Sequence, residues 1–263
     1  MRNPSILRYL LIISSTIILI VATTAVRQQY QQNPVEKSGF DLYIISMSYQ
    51  PEFCYQHRQE HWPGCEHPRT DWKTHLTIHG LWPQYLNGSW PESCTNETLS
   101  EKVIATLHTR LEQWWPNVRA ANANEPQYLD FWNHEWSKHG TCSGLSQFAY
   151  FTAALNHFIP TPPLVAEKYG KSVRKEELLR AYDNGTTAAA NSTTILVCTH
   201  GKYLSEVRWC LGKHPEFGRP SYRMPCPPSI VLQWDSACQG SEIILSQFPG
   251  NNSSSMSTMT AIV

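Results

Sequence analysis

Apolar positions change their spacing several times along the chain, and each change predicts an element. The first is a nearly unbroken run, "LLIISSTIILIVA" from Leu10 to Ala22, preceded by Arg2 and Arg8 and followed by small residues at Thr23 to Ala25. This pattern predicts a secretory signal peptide over residues 1–25. A signal anchor is the alternative, because Ile6 to Ala25 approaches the length of a membrane span, but Ser14, Ser15 and Thr16 interrupt the run. A Gln-rich stretch then gives a loose segment over 26–39.

The β-branched and aromatic residues of "FDLYIISMSY" (Phe40 to Tyr49) predict a buried strand ended by Pro51. "HLTIHGLW" (His75 to Trp82) predicts a second, with Leu76, Ile78 and Leu81 as core positions and Pro83 as its stop. From Leu99 to Trp114 the spacing turns helical: Ile104, Leu107, His108 and Leu111 recur on one face, and Thr98 and Glu101 stand at capping-box distance. Further helices are predicted over Gly144 to Phe158 and Val173 to Tyr182, the latter followed by the small-residue loop "DNGTTAAANST". "TTILVCT" and "SIVLQW" read as strands, and the polar tail over 250–263 has little to pack and reads as disordered. Strands and helices do not alternate regularly, so the pattern favours an α+β class with one domain over residues 40–249.

Eight cysteines, at 54, 65, 94, 142, 198, 210, 226 and 238, make an even set, and in an exported chain they read as disulfides. Their spacing lacks the close pairs of a zinc site. Sequons at Asn87, Asn96, Asn184, Asn191, Asn251 and Asn252 agree with the secretory route and are candidate glycosylation sites. The formal net charge is zero, from 21 basic and 21 acidic residues. A long-range basic field for gripping nucleic acid is therefore absent, although a transient contact with a few phosphates needs none.

The densest chemistry lies in "FWNHEWSKHGTC" (Phe131 to Cys142). On a helix Glu135 and His139 share a face, with Lys138 beside them and His134 near Lys138. The order HExxxH departs from the HExxH of zinc hydrolases: histidines five apart are rotated by roughly 140° and do not face one ion. A purely structural cluster is disfavoured by the cost of gathering these groups beside aromatics. His108 reads as a helical histidine with no catalytic part. "LTIHGLWP" adds His79, which a strand can present at the edge of a pocket, and Trp82, an indole able to stack on a base. Two histidines from separate segments can divide proton transfer between them.

Together "TIHGLWP" (Thr77 to Pro83) and "FWNHEWSKHGTC" resemble the two signature blocks of the ribonuclease T2 family. The resemblance extends through "NGSWPESC" and "YLSEVRWC" to the Cys226 to Cys238 segment. It implies a central antiparallel sheet packed with helices and braced by disulfides, and an endoribonuclease acting on single-stranded RNA. The ribose 2'-hydroxyl attacks the adjacent phosphorus, giving a 2',3'-cyclic phosphate and then, more slowly, a 3'-phosphate. DNA lacks the nucleophile.

By the same resemblance, His79 protonates the departing 5'-oxygen and His139 is the general base. Glu135 and Lys138 support the phosphoryl group, His134 contacts phosphate and Trp82 lines the substrate pocket. No metal or other cofactor is implied. The implied pairings are Cys54–Cys65, Cys94–Cys142, Cys198–Cys238 and Cys210–Cys226. A monomer in the extracellular space or a vacuolar or lysosomal lumen, with no membrane partner once the leader is cleaved, completes the expectation. "SYQPEFC" and Gln84 depart from common family patterns and leave base preference open. The alternatives are a catalytically weak RNA-binding or signalling relative and, with less support, a glycoside hydrolase, for which no second carboxylate stands opposite Glu135.

Overall fold

The computed structural model describes residues 39–120, 126–184, 193–234 and 238–250. The expected signal peptide, nearly all of the 26–39 segment, most of the 183–193 loop, Asn191, Asn251, Asn252 and the tail beyond Gly250 lie outside them. Asn87, Asn96 and Asn184 are exposed.

Among the described residues seven strands form one sheet: β1 (Leu42–Ser48), β2 (Thr77–Gln84), β3 (Ser172–Arg174), β4 (Thr194–Thr199), β5 (Tyr203–Lys213), β6 (Pro220–Met224) and β7 (Glu242–Ile244). The order is β2-β1-β5-β7-β3, with β4 and β6 both pairing β5. Every pairing is antiparallel except the short parallel contact of β5 with β7. Helices α1 (Gln50–Gln56), α2 (Pro63–Glu66), α3 (Glu101–Ile104), α4 (His108–Trp114), α5 (Pro126–Lys138), α6 (Gln147–Asn156), α7 (Pro163–Glu167), α8 (Lys175–Tyr182) and α9 (Pro228–Trp234) complete an α+β fold.

All seven β1 residues are buried because both of its faces are covered. Tyr43, Ile45 and Met47 enter the main core with Trp115, Trp132, Trp136, Tyr150 and Phe151. Leu42 and Ile44 enter a smaller cluster with Ile195, Cys210 and Ile230. Burying one such large side chain is worth about 1.5–3 kcal/mol. Disulfides join Cys54–Cys65, Cys94–Cys142, Cys198–Cys238 and Cys210–Cys226.

Several elements differ from the sequence pattern, each for a local reason. "SIVLQW" is helix α9, not a strand: Pro228 presets the first turn, and the Ile230 and Val231 amides bond the Pro227 carbonyl at 2.9 and 3.1 Å. Pro83 does not stop β2. It pairs with Tyr43 inside the strand, tolerated because β2 ends the sheet order, where a missing N–H breaks no ladder.

The helix expected over Leu99 to Trp114 is two pieces joined by a 3₁₀ turn at Ala105–Leu107. Its capping box is not formed. Ser100 is the N-cap without a side-chain bond, and Gln147 does the work from α6, accepting from the Ser100 amide at 2.7 Å and donating to the Thr98 carbonyl at 2.9 Å. Val173 belongs to β3, so α8 starts only at Lys175. The longest strand, β5, has no clear apolar alternation, because Ser205, Glu206 and Arg208 interrupt it.

Candidate active site

His79 occupies an irregular point in β2. Ser46 of β1 pairs with Gly80 and Met47 with Ile78, leaving His79 as an extra residue between them. Ile78 and Leu81 both enter the main core although they are three apart, which an uninterrupted period of two forbids. The bulge absorbs the extra residue and re-aims its side chain. The His79 carbonyl accepts from the Trp115 indole at 2.8 Å, and the Trp115 carbonyl accepts from the Trp132 indole of α5 at 2.8 Å. Two indoles thus tie the bulge to the helix that carries Glu135.

Glu135 is almost fully buried. Its Oε2 accepts from the Trp82 indole at 3.0 Å, and its Oε1 lies 3.9 Å from His79 Nε2. Gly80 makes this meeting possible: a Cβ there would stand 2.1 Å from Trp82 Nε1 and 2.2 Å from Glu135 Oε2. Burial pushes the Glu135 carboxyl up to about 7, against the opposing pull of His79 and the Trp82 hydrogen bond. The group is therefore a neutral acid below neutrality.

His139 follows the end of α5, its amide bonded to the Glu135 carbonyl at 3.1 Å. The Trp82 ring packs against both imidazoles, its centroid 5.1 Å from that of His79 and 5.4 Å from that of His139. His139 Nδ1 is buried with no hydrogen-bond partner among the described residues. Burial, followed by the charges of Lys138, His134 and His79, lowers its pKa to about 3. His79 behaves oppositely. Burial lowers its pKa, but Glu206 and then Glu135 outweigh both burial and the opposing Arg208, so the net shift is upward.

His134 and Lys138 do not join this cluster directly. They line an adjoining open groove of about 480 Å³ with Glu92, Ser93, Asp130, Asn133 and Ser137. Lys138 Nζ lies 3.9 Å from Glu92. Burial, then Lys138 and His79, lowers the His134 pKa. The Cys94–Cys142 disulfide, the Ser93 amide on the Lys138 carbonyl at 2.8 Å and the Leu99 amide on Asn133 at 2.8 Å fasten the 93–99 segment along α5. His108 stands apart, its ring edge-on to Trp132 at 5.2 Å.

One contributor escaped sequence reasoning. Glu206 of β5 meets His79 Nδ1 at 2.8 Å from its Oε1. Its Oε2 accepts from Ser46 at 2.8 Å and from the Arg208 guanidinium. The available signal was Glu206 and Arg208 two apart in the otherwise apolar "YLSEVRWC", on one face of a strand. Among the described residues, no group of three or more His, Cys, Asp or Glu is arranged to hold a metal ion.

Comparison with known proteins gives a consistent picture. The Ribonuclease T2 family model matches residues 40–218. Intracellular ribonuclease LX of Solanum lycopersicum is 37% identical over 123 residues, 46% of this chain and 49% of that protein. Ribonuclease S-7 of Pyrus pyrifolia is 33% identical over 137 residues, 51% and 56% of the respective chains. The chain spans about half the length of the curated relatives it matches. A solved variant of RNase MC1, a bitter gourd seed protein, in complex with 5'-UMP has a TM-score of 0.58 at 25% identity, covering 78% of this chain and 98% of that one.

Proposed function

Because this chain belongs to the ribonuclease T2 family, its match extending over residues 40–218, we propose that it is an endoribonuclease that cleaves single-stranded RNA by attack of the ribose 2'-hydroxyl. The observation that carries this reading is the pair of unlike imidazoles packed on one indole, Trp82: His79 bonded to a carboxylate, His139 buried and beside the Lys138 ammonium. At mildly acidic pH His139 is neutral and accepts the 2'-hydroxyl proton, while His79 is protonated. The 2'-oxygen–phosphorus bond forms and the phosphorus–5'-oxygen bond breaks. The Nε2 proton of His79 passes to the leaving oxygen, since Nδ1 is engaged by Glu206.

Neutral Glu135 donates to a phosphoryl oxygen, Lys138 offsets its charge from the adjoining groove and His134 contacts phosphate there. In the slower second step water adds to phosphorus and the phosphorus–2'-oxygen bond breaks: His79, now neutral, takes the water proton and His139 returns its proton to the 2'-oxygen, giving a 3'-phosphate. DNA, which lacks the nucleophile, is not cleaved. Trp82 keeps its indole N–H on Glu135, so its ring face and edge are what it offers a nucleotide. Gln84, buried and donating to the Gly88 carbonyl at 2.6 Å, braces the loop after β2. The leader pattern, the sequons and four disulfides support delivery through the secretory pathway, with Asn87, Asn96 and Asn184 open to glycosylation.

The test is product analysis on RNA with and without a 2'-deoxy nucleotide immediately 5' to the scissile phosphate. Cyclic phosphate ends, a complete block at the deoxy position and undiminished activity in EDTA are expected. Cleavage at the deoxy position overturns the proposal.

A further inference from the structure

We infer that Glu206 is a positioning residue for leaving-group protonation, fixing the proton-bearing nitrogen of His79 through its 2.8 Å contact with Nδ1. The inference rests on the acid role proposed for His79 and names the residue through which that role is set. Three features of the geometry carry it.

Glu206 and His79 sit on strands that do not pair. Glu206 is in β5 and His79 in β2, with β1 between them. Their contact therefore reaches across a whole strand and depends on the bulge that turns His79 toward it. A structural carboxylate in this sheet has no need of such a reach, because Ser46 and Arg208 already satisfy its Oε2. The Oε1 atom is left for the imidazole.

Orientation follows from the bond. An ionised carboxylate only accepts, so His79 Nδ1 must carry hydrogen and Nε2 is the atom left to face Glu135. Freed from Glu206, the ring can adopt the other tautomer or rotate, and either change removes the proton from the side where the leaving oxygen stands.

Glu206 is itself held. Burial favours its neutral form, but Arg208 first, then His79 and the Ser46 bond, outweigh it and keep the carboxylate ionised. Arg208 also lies 5.0 Å over the Trp82 ring, whose N–H binds Glu135. One guanidinium thus aligns both supports of the site. The titratable and charged groups around His79 are Glu206 and Arg208 from β5, Glu135 and His134 from α5, and His139 just beyond it. Among these, Glu206 gives the largest upward push.

Glu206→Gln keeps an acceptor for Nδ1 and removes the charge. His79, followed by nuclear magnetic resonance, should then titrate at least about one pH unit lower, and RNA cleavage above neutrality should fall about tenfold. Cleavage of a nucleoside 3'-(4-nitrophenyl phosphate), whose leaving group needs no proton, should stay within about threefold of the unaltered chain. A merely structural role would depress both substrates together, and that result, or an unmoved His79 titration, overturns the inference. If the variant does not fold, nitrogen shifts of the unaltered chain decide it: neutral His79 must carry its proton on Nδ1, and the Nε2–H tautomer would overturn the inference. The acid role is checked separately with His79→Ala, which should fail on RNA and retain the nitrophenyl substrate. Loss of both there overturns the acid role itself, independently of the titration.

Discussion

The two histidines of the site are held in contrasting ways. His79 sits in a bulge of an edge strand, its carbonyl bonded to an indole and its Nδ1 to a buried carboxylate that an arginine keeps ionised. His139 sits just past a helix end, with one ring nitrogen buried and unbonded among the described residues, and with Lys138 as the charge that weighs most on it. The first environment favours imidazolium and the second favours neutral imidazole. In the proposed reaction this lets identical side chains act as an acid and a base at the same pH: carboxylates outweigh burial at His79, whereas burial and then the Lys138 ammonium act together at His139.

The largest expected effect comes from removing either imidazole. His79→Ala and His139→Ala should each reduce RNA cleavage by at least about 100-fold. The pH profiles should separate the two: His79→Ala should change the alkaline limb of kcat/KM, leaving only the Glu135 contribution to it, and His139→Ala should remove the acid limb, measured on folded, disulfide-bonded protein. Loss of the same limb in both variants would break the contrast.

Gly80→Ala tests the packing that joins the two sides. Its Cβ would fall about 2.2 Å from Glu135 Oε2, so the Trp82 hydrogen bond to Glu135 must break or the bulge must shift. Overpacking of this kind costs about 1–3 kcal/mol. Thermal unfolding together with an activity loss of more than about tenfold is the expected pair of results.

These predictions also mark what the sequence could disclose. His79, Trp82, Glu135 and His139 were legible because each lies in a short segment crowded with chemistry and aromatics. Glu206 was not, since its partner is 127 residues away and only the sheet order brings them together. The bulge was equally hidden: it needs the register of β1 against β2, which no single strand pattern contains. Strand assignments failed where composition and context disagreed. Ile230, Val231 and Leu232 suit a strand, yet Pro227 and Pro228 ahead of them start a helix. In β5 Glu206, which meets His79, and Arg208, which meets Glu206, are among the residues that break the alternation, so the candidate site and the fold signal compete there.

Glu135 gives a stability test of the acidic half. Its folded pKa of about 7 lies above the ordinary carboxyl value, so its contribution is favourable at low pH and is lost as pH rises from the unfolded pKa through the folded one. Glu135→Gln should therefore gain stability relative to the unaltered chain at pH 8 and not at pH 4, by at most on the order of 3 kcal/mol. Denaturant unfolding at the two pH values reads the difference, and equal effects at both would contradict it.

The smallest expected effect is electrostatic. Lys138 is the leading charge, after burial, that depresses His139. Lys138→Met should move the acid limb of kcat/KM upward by less than about one pH unit, beyond any fall in the plateau. An unmoved limb would show that burial alone sets the base.

The most direct test of the contrast is a titration of both imidazoles in the unaltered chain by nuclear magnetic resonance, with each signal assigned through its alanine variant. His79 should titrate above the ordinary histidine value and His139 far below it, near 3. His139 titrating at or above His79 would contradict the division of labour and, with it, the account of how this site works.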